Sequence, residues 1–238
     1  MSKYVLTSPQ GEVIPYLLER RTRRTVGMRI TPEGLLVRAP KRISQEQIER
    51  LLLTKINWII NKLKLHQDNQ AAPMQWHDGA KLWLLGNELT LSIRHDAKNR
   101  AVEYEAGWLH IAMPTPEDEE AVARKVLQWY RKQAMTDFSR RVELLAAKLG
   151  VAKPRLFLSN ANTRWGSCNS KSEIRLNWKL IQAPPHIINY VTAHELAHLK
   201  EMNHSARFWA VVESIFPEYK KAEKELKQLS PRLHAITM

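Results

Sequence analysis

His194-Glu195-Leu196-Ala197-His198, with His204 six residues further on, decides how the rest of this chain is read. Residues four apart on a helix lie about 40° apart around its axis, so both imidazoles point the same way. That spacing suits two ligands on one Zn²⁺ ion. Glu195 sits beside the first histidine, where its carboxylate can reach a metal-held water without being a ligand. A catalytic zinc site takes three protein ligands and leaves a fourth position open. His204 is the candidate third ligand. On an unbroken helix it would project about 240° away from His198. The helix must therefore end soon after Leu199 and the chain must turn back. Ser205 can then cap a new helix carrying Phe208, Trp209, Val212 and Ile215. Asn203 suits such a turn, because asparagine accepts the left-handed conformation. Glu213 on the new helix is a rival third ligand, its other reading being a solvated face. The spacing matches the longer histidine pattern of metzincins, except that Glu201 stands where that pattern has glycine. The turn must therefore differ, and the chain is not assigned to that group.

The chemistry such a site supports is hydrolysis. Glu195 would take a proton from the attacking water and pass it to the leaving group. The developing oxyanion needs a donor beyond the metal, and Arg164 and Tyr190 are candidates. Tyr190 lies one turn before His194 on the same face; its competing reading is a packed core tyrosine.

Composition narrows the alternatives. At 238 residues, with 44% hydrophobic and 26% charged, the chain can bury one large core or two small ones. Cys168 is the single cysteine, so an intrachain disulfide and a thiolate zinc site are both excluded. The first ten residues have no apolar signal core, and no apolar run approaches the roughly 20 residues that span a bilayer. The expectation is a cytoplasmic protein with no membrane partner. A net charge of +13, from 37 basic and 24 acidic residues, favours an anionic partner such as nucleic acid or a phosphorylated small molecule. The densest cluster, Arg20-Arg21-Thr22-Arg23-Arg24, lacks the interleaved aromatics of a base-stacking platform. It reads as a phosphate-contacting loop or a solvated turn.

The pattern predicts an α+β fold: a β-rich N-terminal region over 1–115, then a domain over 116–238 that carries the motif helix and that the family resemblance given below implies to be a minimal zincin-like metallohydrolase domain. Val13 to Leu18, Val26 to Ile30 and Leu35 to Ala39 read as strands. Ser44 and Gln47 form a capping box for a helix over 44–65, with Ile48, Leu52, Ile56, Ile59 and Leu63 on one stripe. Residues 66–79 read as a linker. Lys81 to Leu85, Leu89 to Arg94, Val102 to Glu105 and Trp108 to Ala112 read as more strands, with a hairpin turn at Gly86-Asn87. Thr115 then caps a long helix ending at Gly150. Gly34 to Pro40 followed by a capped helix bearing Trp58 resembles Gly107 to Pro114 followed by one bearing Trp129. The tryptophans lie 18 and 15 residues past their prolines, so both could face a core equally. The pattern is either an internal repeat or the common grammar of sheet followed by helix. Arg155 to Ser159 is a short strand, residues 160–170 a polar loop, and Glu173 to Trp178 a half-buried strand. Pro184-Pro185 opens the motif helix.

Arg164-Trp165-Gly166-Ser167-Cys168, Leu176-Asn177-Trp178, Tyr190-Val191 before the motif, and Asn203-His204-Ser205 with Phe208-Trp209 together resemble the YgjP-like family of metal-dependent hydrolases. That family is grouped near the SprT-like and WLM zinc proteases. Val37-Arg38-Ala39-Pro40 and Trp58-Ile59 extend the resemblance into the N-terminal half. It implies a minimal zincin fold, His194, His198 and His204 as ligands of one Zn²⁺, and Glu195 as base. Zincins align an extended peptide on an edge strand, and by analogy Glu173 to Trp178 would be that strand. The leading expectation is a zinc metallopeptidase acting on a peptide or protein. The alternatives are a metal-dependent nucleoside triphosphate pyrophosphatase and a nucleic-acid-associated protease of SprT-like type.

Overall fold

A computed structural model describes residues 2–31, 33–68, 74–96 and 101–237, without side chains for 65–68. Positions 69–73 of the expected linker lie outside the described residues. Two compact units divide the chain, residues 1–71 and 72–238.

The first unit contains β1 (Ser2–Thr7), β2 (Val13–Arg21), β3 (Gly27–Thr31) and β4 (Gly34–Pro40) in the order β1-β2-β4-β3. β2 and β4 run parallel, and the other neighbours are antiparallel. Side chains alternate across a strand, so Leu35, Val37 and Ala39 of β4 point into one core with Tyr16 and Leu18 of β2. Helix α1 (Gln45–Thr54) begins at the expected capping box, with Ser44 and Gln47 each satisfying the other's backbone N–H. The single helix expected over 44–65 is two helices. The chain breaks at Lys55, whose N–H bonds back to Leu52 and Leu53, and α2 (Ile56–Asp68) follows. Ile48, Leu52, Ile56 and Ile59 stay buried across the break. Trp58 is next to Ile59, about 100° off that stripe, and is 43% exposed. The expectation that both tryptophans face a core therefore fails for Trp58 and holds for Trp129, which is buried.

The second unit opens with β5 (Lys81–Leu84), β6 (Asn87–His95), β7 (Val102–Glu105) and β8 (Trp108–Met113). Their order is β5-β6-β8-β7. The first pair is antiparallel, the middle pair parallel and the last antiparallel. This repeats the first unit's topology strand for strand. The hairpin turn is Leu85-Gly86, one residue earlier than expected, with both residues at positive φ. Its two N–H groups donate to Ile181 and Gln182, and a Cβ on Gly86 would lie 3.0 Å from Pro184 Cα. The tip of this hairpin thus fixes the segment that leads into the motif helix.

α3 (Glu119–Leu149) starts three residues later than the expected Thr115 cap, with Asp118 as N-cap accepting from Ala121. Thr115 instead closes a turn with Asp118. Gly150 ends the helix in the left-handed conformation, as its position predicts. The division expected at 115/116 is corrected by the core. Leu82, Leu91, Leu109 and Ile111 share one buried cluster with Val126 and Phe138 of α3. Tyr130 of α3 donates its hydroxyl to Trp83 at 2.8 Å. Amphipathic patterning shows that a strand has a buried face but not which helix covers it.

Beyond α3 lie β9 (Arg155–Ser159), β10 (Gly166–Cys168) and β11 (Glu173–Asn177), ordered β10-β11-β9. A 3₁₀ turn (Trp178–Gln182), α4 (Pro185–Ala197), α5 (Ala206–Ile215) and α6 (Tyr219–Ala235) complete the unit. α4 is buried nearly all round, through Ile187, Ile188, Val191 and Leu196. Each such side chain stabilises by about 1.5–3 kcal/mol. Arg141 ties α3 to α4: it pairs with Asp137, and donates to Asn189 at 2.6 Å and Pro185 O at 3.3 Å. Among the described residues, no helix is long and apolar enough to cross a membrane.

Candidate metal centre

α4 ends at Ala197, with His198 as its C-cap, so the break demanded between Leu199 and His204 is present. Leu199 and Lys200 bond back one turn, and Glu201 N–H reaches Ala197 O at 3.0 Å. Ser205 N–H closes on Asn203 O at 2.7 Å, and Ser205 caps α5 by accepting from Phe208. Among the described residues, the non-glycine positions at positive φ are Leu85, Ala106 and Ser172. The left-handed turn expected at Asn203 is therefore not used. This explains the glutamate at 201: a turn built wholly from right-handed and extended residues has no need of glycine.

The turn brings His204 onto the face shared by His194 and His198. One ligand atom from each of the three lies within 4.8 Å of the others. His204 Nε2 is 3.1 Å from His194 Nε2. Two nitrogens each about 2.05 Å from a tetrahedral Zn²⁺ would be about 3.3 Å apart. His198 turns Nδ1 to Glu201 O at 3.2 Å, which leaves its Nε2 for a metal and orients the ring through a backbone carbonyl. Glu213 is exposed and outside the cluster.

Protonation states agree with a metal-binding role. Burial holds the His194 imidazole down to about 4, with His198 and His204 adding to the effect. Burial likewise lowers His198. Neutral imidazole is the form that ligates. His194 Nδ1 is buried without a partner. Three imidazoles crowded together, two of them with Nε2 atoms at hydrogen-bond distance, fit a cation better than they fit one another.

Glu195 is 5% exposed. Burial pushes its carboxyl up to about 8, against a lowering by the Arg164 guanidinium. Its neighbour is backbone. A Cβ on Gly166 would lie 2.6 Å from Glu195 Cγ and 2.7 Å from Cδ. Only glycine lets β10 pass this close to the carboxylate. The sequence pattern placed Gly166 in the Arg164–Cys168 stretch without giving it a role; the signal available was a lone glycine between Trp165 and Ser167 in an otherwise polar loop.

β10 also corrects the expected substrate strand. β11 lies in the middle of its sheet, parallel to β9 and antiparallel to β10. Among the described residues β10 is paired on one side only, and it is the strand beside the histidines. Clefts open on both sides of the Gly166–Glu195 contact. One is lined by Ser167, Cys168, Met202 and the three histidines. The other is lined by Arg164, Trp165, Tyr190, Val191 and Leu226. Tyr190 is mostly buried, stacks edge-on against His194 at 6.2 Å, and is raised by burial. Arg164 is exposed at the rim.

Asn177 supports this edge from beneath. It is fully buried. Its Nδ2 donates to Ala161 O at 2.8 Å, its Oδ1 accepts from Lys179 N–H at 3.1 Å, and its own N–H donates to Trp165 O at 2.8 Å. Trp165 is clamped from α6, donating to Ser230 at 2.9 Å and stacking on His234 at 4.2 Å.

Converging imidazoles, an adjacent buried carboxyl and a free strand edge define the site of a metal-dependent hydrolase. The chain belongs to the YgjP-like family: the family's sequence profile, described as a YgjP-like metallopeptidase domain, matches residues 24–229. That membership makes the protein a metal-dependent hydrolase and implies a catalytic metal. A UTP pyrophosphatase of Escherichia coli (strain K12) is 35% identical over 78 residues, 32% of this chain and 47% of that protein. The match thus spans about half of that relative. Two solved metallopeptidase zymogens are similar in part. Abylysin of Pyrococcus abyssi has a TM-score of 0.36 and 25% identity, over 39% of this chain and 94% of its own. Jannalysin of Methanocaldococcus jannaschii has a TM-score of 0.35 and 19% identity, over 38% and 94%.

Proposed function

We propose that the protein is a zinc metallopeptidase in which His194, His198 and His204 hold the metal and Glu195 is the general base. The observation that carries this reading is the three-imidazole cluster with Glu195 packed against the edge strand β10. When bound, Zn²⁺ supplies a Lewis acid and lowers the pKa of water to near 7. The chain's own residues do the rest. An extended peptide adds to the free edge of β10 through main-chain hydrogen bonds. Its side chains fall alternately toward the Met202 and the Tyr190 sides of the cleft. Glu195, desolvated and therefore basic, takes a proton from water and delivers it to the leaving amine. Tyr190 flanks His194, where its hydroxyl can donate to a developing oxyanion.

Glu195→Gln is the test. Metal content should stay at the wild-type level while peptide hydrolysis falls by about 10²–10⁴-fold. Wild-type hydrolysis in the variant would remove Glu195 as the base.

One observation favours a second reading, hydrolysis of a nucleotide phosphoanhydride. The relative over 78 residues is a UTP pyrophosphatase, and Arg164 lines the cleft beside Glu195, where a guanidinium can pair with phosphate. A chelator-controlled panel of peptides and nucleoside triphosphates separates the two. Pyrophosphate release with no peptide cleaved would replace the first reading with the second.

A further inference from the structure

The hydrolytic centre leaves the charge of the first unit unexplained. From Arg20 to Pro32 and from Gly34 to Gln45 the sequence carries eight arginines and lysines and no acid. The fold gathers most of them at one end of the sheet. Because β2 and β4 are parallel, they finish together, with Arg20 opposite Ala39 and Arg21 opposite Pro40. β3 begins at the same end, with Gly27 opposite Arg38. Arg20 fastens the next loop to this end: its Nη1 donates to Pro40 O and Lys41 O at 3.3 Å and to Ile43 O at 2.6 Å. Lys41 and Arg42 are thereby held beside the 20–24 cluster.

One part of this end is a formed hollow. It is lined by Arg23, Gly27, Met28, Arg29, Leu36 and Arg38. Arg23 lies over Gly27, where a Cβ would come within 2.9 Å of its Nη2, so the glycine makes room for the guanidinium. Arg23 Nε is buried with no acceptor. Arg29 is exposed. The nearby acid in the sheet, Glu19, is already shared between Arg21 and Arg38. Among the described residues, Arg23 and Arg29 share the hollow with no carboxylate in an ion pair with either, and guanidinium is matched to phosphate.

We propose that this end of the first unit binds the phosphate backbone of nucleic acid. A single phosphate would be neutralised by the hollow alone, whereas the basic residues continue through 20–24 and 41–42, as an extended polyanion requires. No aromatic residue lies among positions 20–29 or 38–42, so contact is to phosphate rather than base, and binding is independent of sequence. The surface belongs to the first unit and the metal centre to the second, and the proposal does not depend on the substrate of that centre.

Fluorescence anisotropy of the full-length protein with a labelled 20-base-pair duplex of mixed sequence tests it, across 50–200 mM salt. Affinity should fall steeply with salt, with log K against log[salt] steeper than about −3, because each neutralised phosphate contributes about −0.9. Arg23→Ala combined with Arg29→Ala should flatten that slope by about 2 and weaken binding at least tenfold. Arg29→Glu alone changes an exposed side chain and should weaken binding without disturbing the fold, checked by circular dichroism. Lys62→Ala with Lys64→Ala on α2 should bind like the wild type. Absence of binding at 50 mM salt would overturn the proposal, as would full binding by Arg29→Glu and the double variant. Displacement of the duplex by polyglutamate at equal charge would also overturn it, because the surface would then read charge without phosphate.

Discussion

The first unit and the β5–β8 sheet share strand order and pairing directions, yet their helices do different work. In the first unit the helix breaks at Lys55, and the two pieces close a small core of their own. In the second, α3 runs unbroken for 31 residues. Its length lets one end cover β5–β8 while the other reaches α4 through Arg141. The same sheet is thus a self-contained module in one place and half of a larger core in the other. A helix long enough to pack against two partners turns a repeat unit into a platform for an active site.

The contrast breaks first in the cores. Phe138→Ala in α3 empties a fully buried site and should cost about 3–5 kcal/mol. Metal retention should fall with it, read by a thermal melt and metal content together. Leu52→Ala in α1 also empties a fully buried site, at about 2–5 kcal/mol. It should produce an early partial transition and leave the metal in place; loss of metal in Leu52→Ala would mean the two cores are not independent.

Glycines sharpen the contrast next. Gly166→Ala drives a methyl into Glu195 and should lower turnover about a hundredfold or more, with metal content unchanged, since misplacing a catalytic group by about 1 Å has that effect. Gly107→Ala adds strain at φ +83 but meets open space, so it should cost about 1–2 kcal/mol of stability and leave turnover alone.

Acid sensitivity should reside in the second unit. Burial, helped by Lys179, holds His234 down to about 4. Its unfolded value is near 6.5, so between those values the unfolded chain binds a proton that the native chain does not. Stability therefore falls as pH drops from about 6.5 toward 4, and nothing is lost from this group above 6.5. Denaturant melts of His234→Asn should show a shallower fall than wild type across that window; parallel curves would contradict the assignment. The smallest effect belongs to Trp58→Ala, which should stay within about 0.5 kcal/mol because the ring is largely exposed.

Patterning made the local elements legible. The 48–52–56–59 stripe, the Ser44 capping box and the Gly150 stop appear where periodicity and capping chemistry put them. The histidine constellation was legible for the same reason: helical spacing fixes His194 and His198, and the wrong phase of His204 forces the break. Non-local facts were not legible. Lys55 interrupts a helix whose apolar stripe runs straight through it. β10 exists because β11 pairs with it, and three residues inside a polar loop carry no alternation to reveal that. The 71/72 division depends on which helix covers β5–β8, which no single segment encodes.

The central claim is that His194, His198 and His204 form one metal site completed by the turn after α4. Elemental analysis of protein purified without added metal tests it most directly, on wild type, Glu195→Gln and His204→Ala. The account predicts about one zinc per chain in the first two, and loss of most of it in His204→Ala, because a three-ligand site then keeps two. Full zinc in His204→Ala, or none in the wild type, would contradict it.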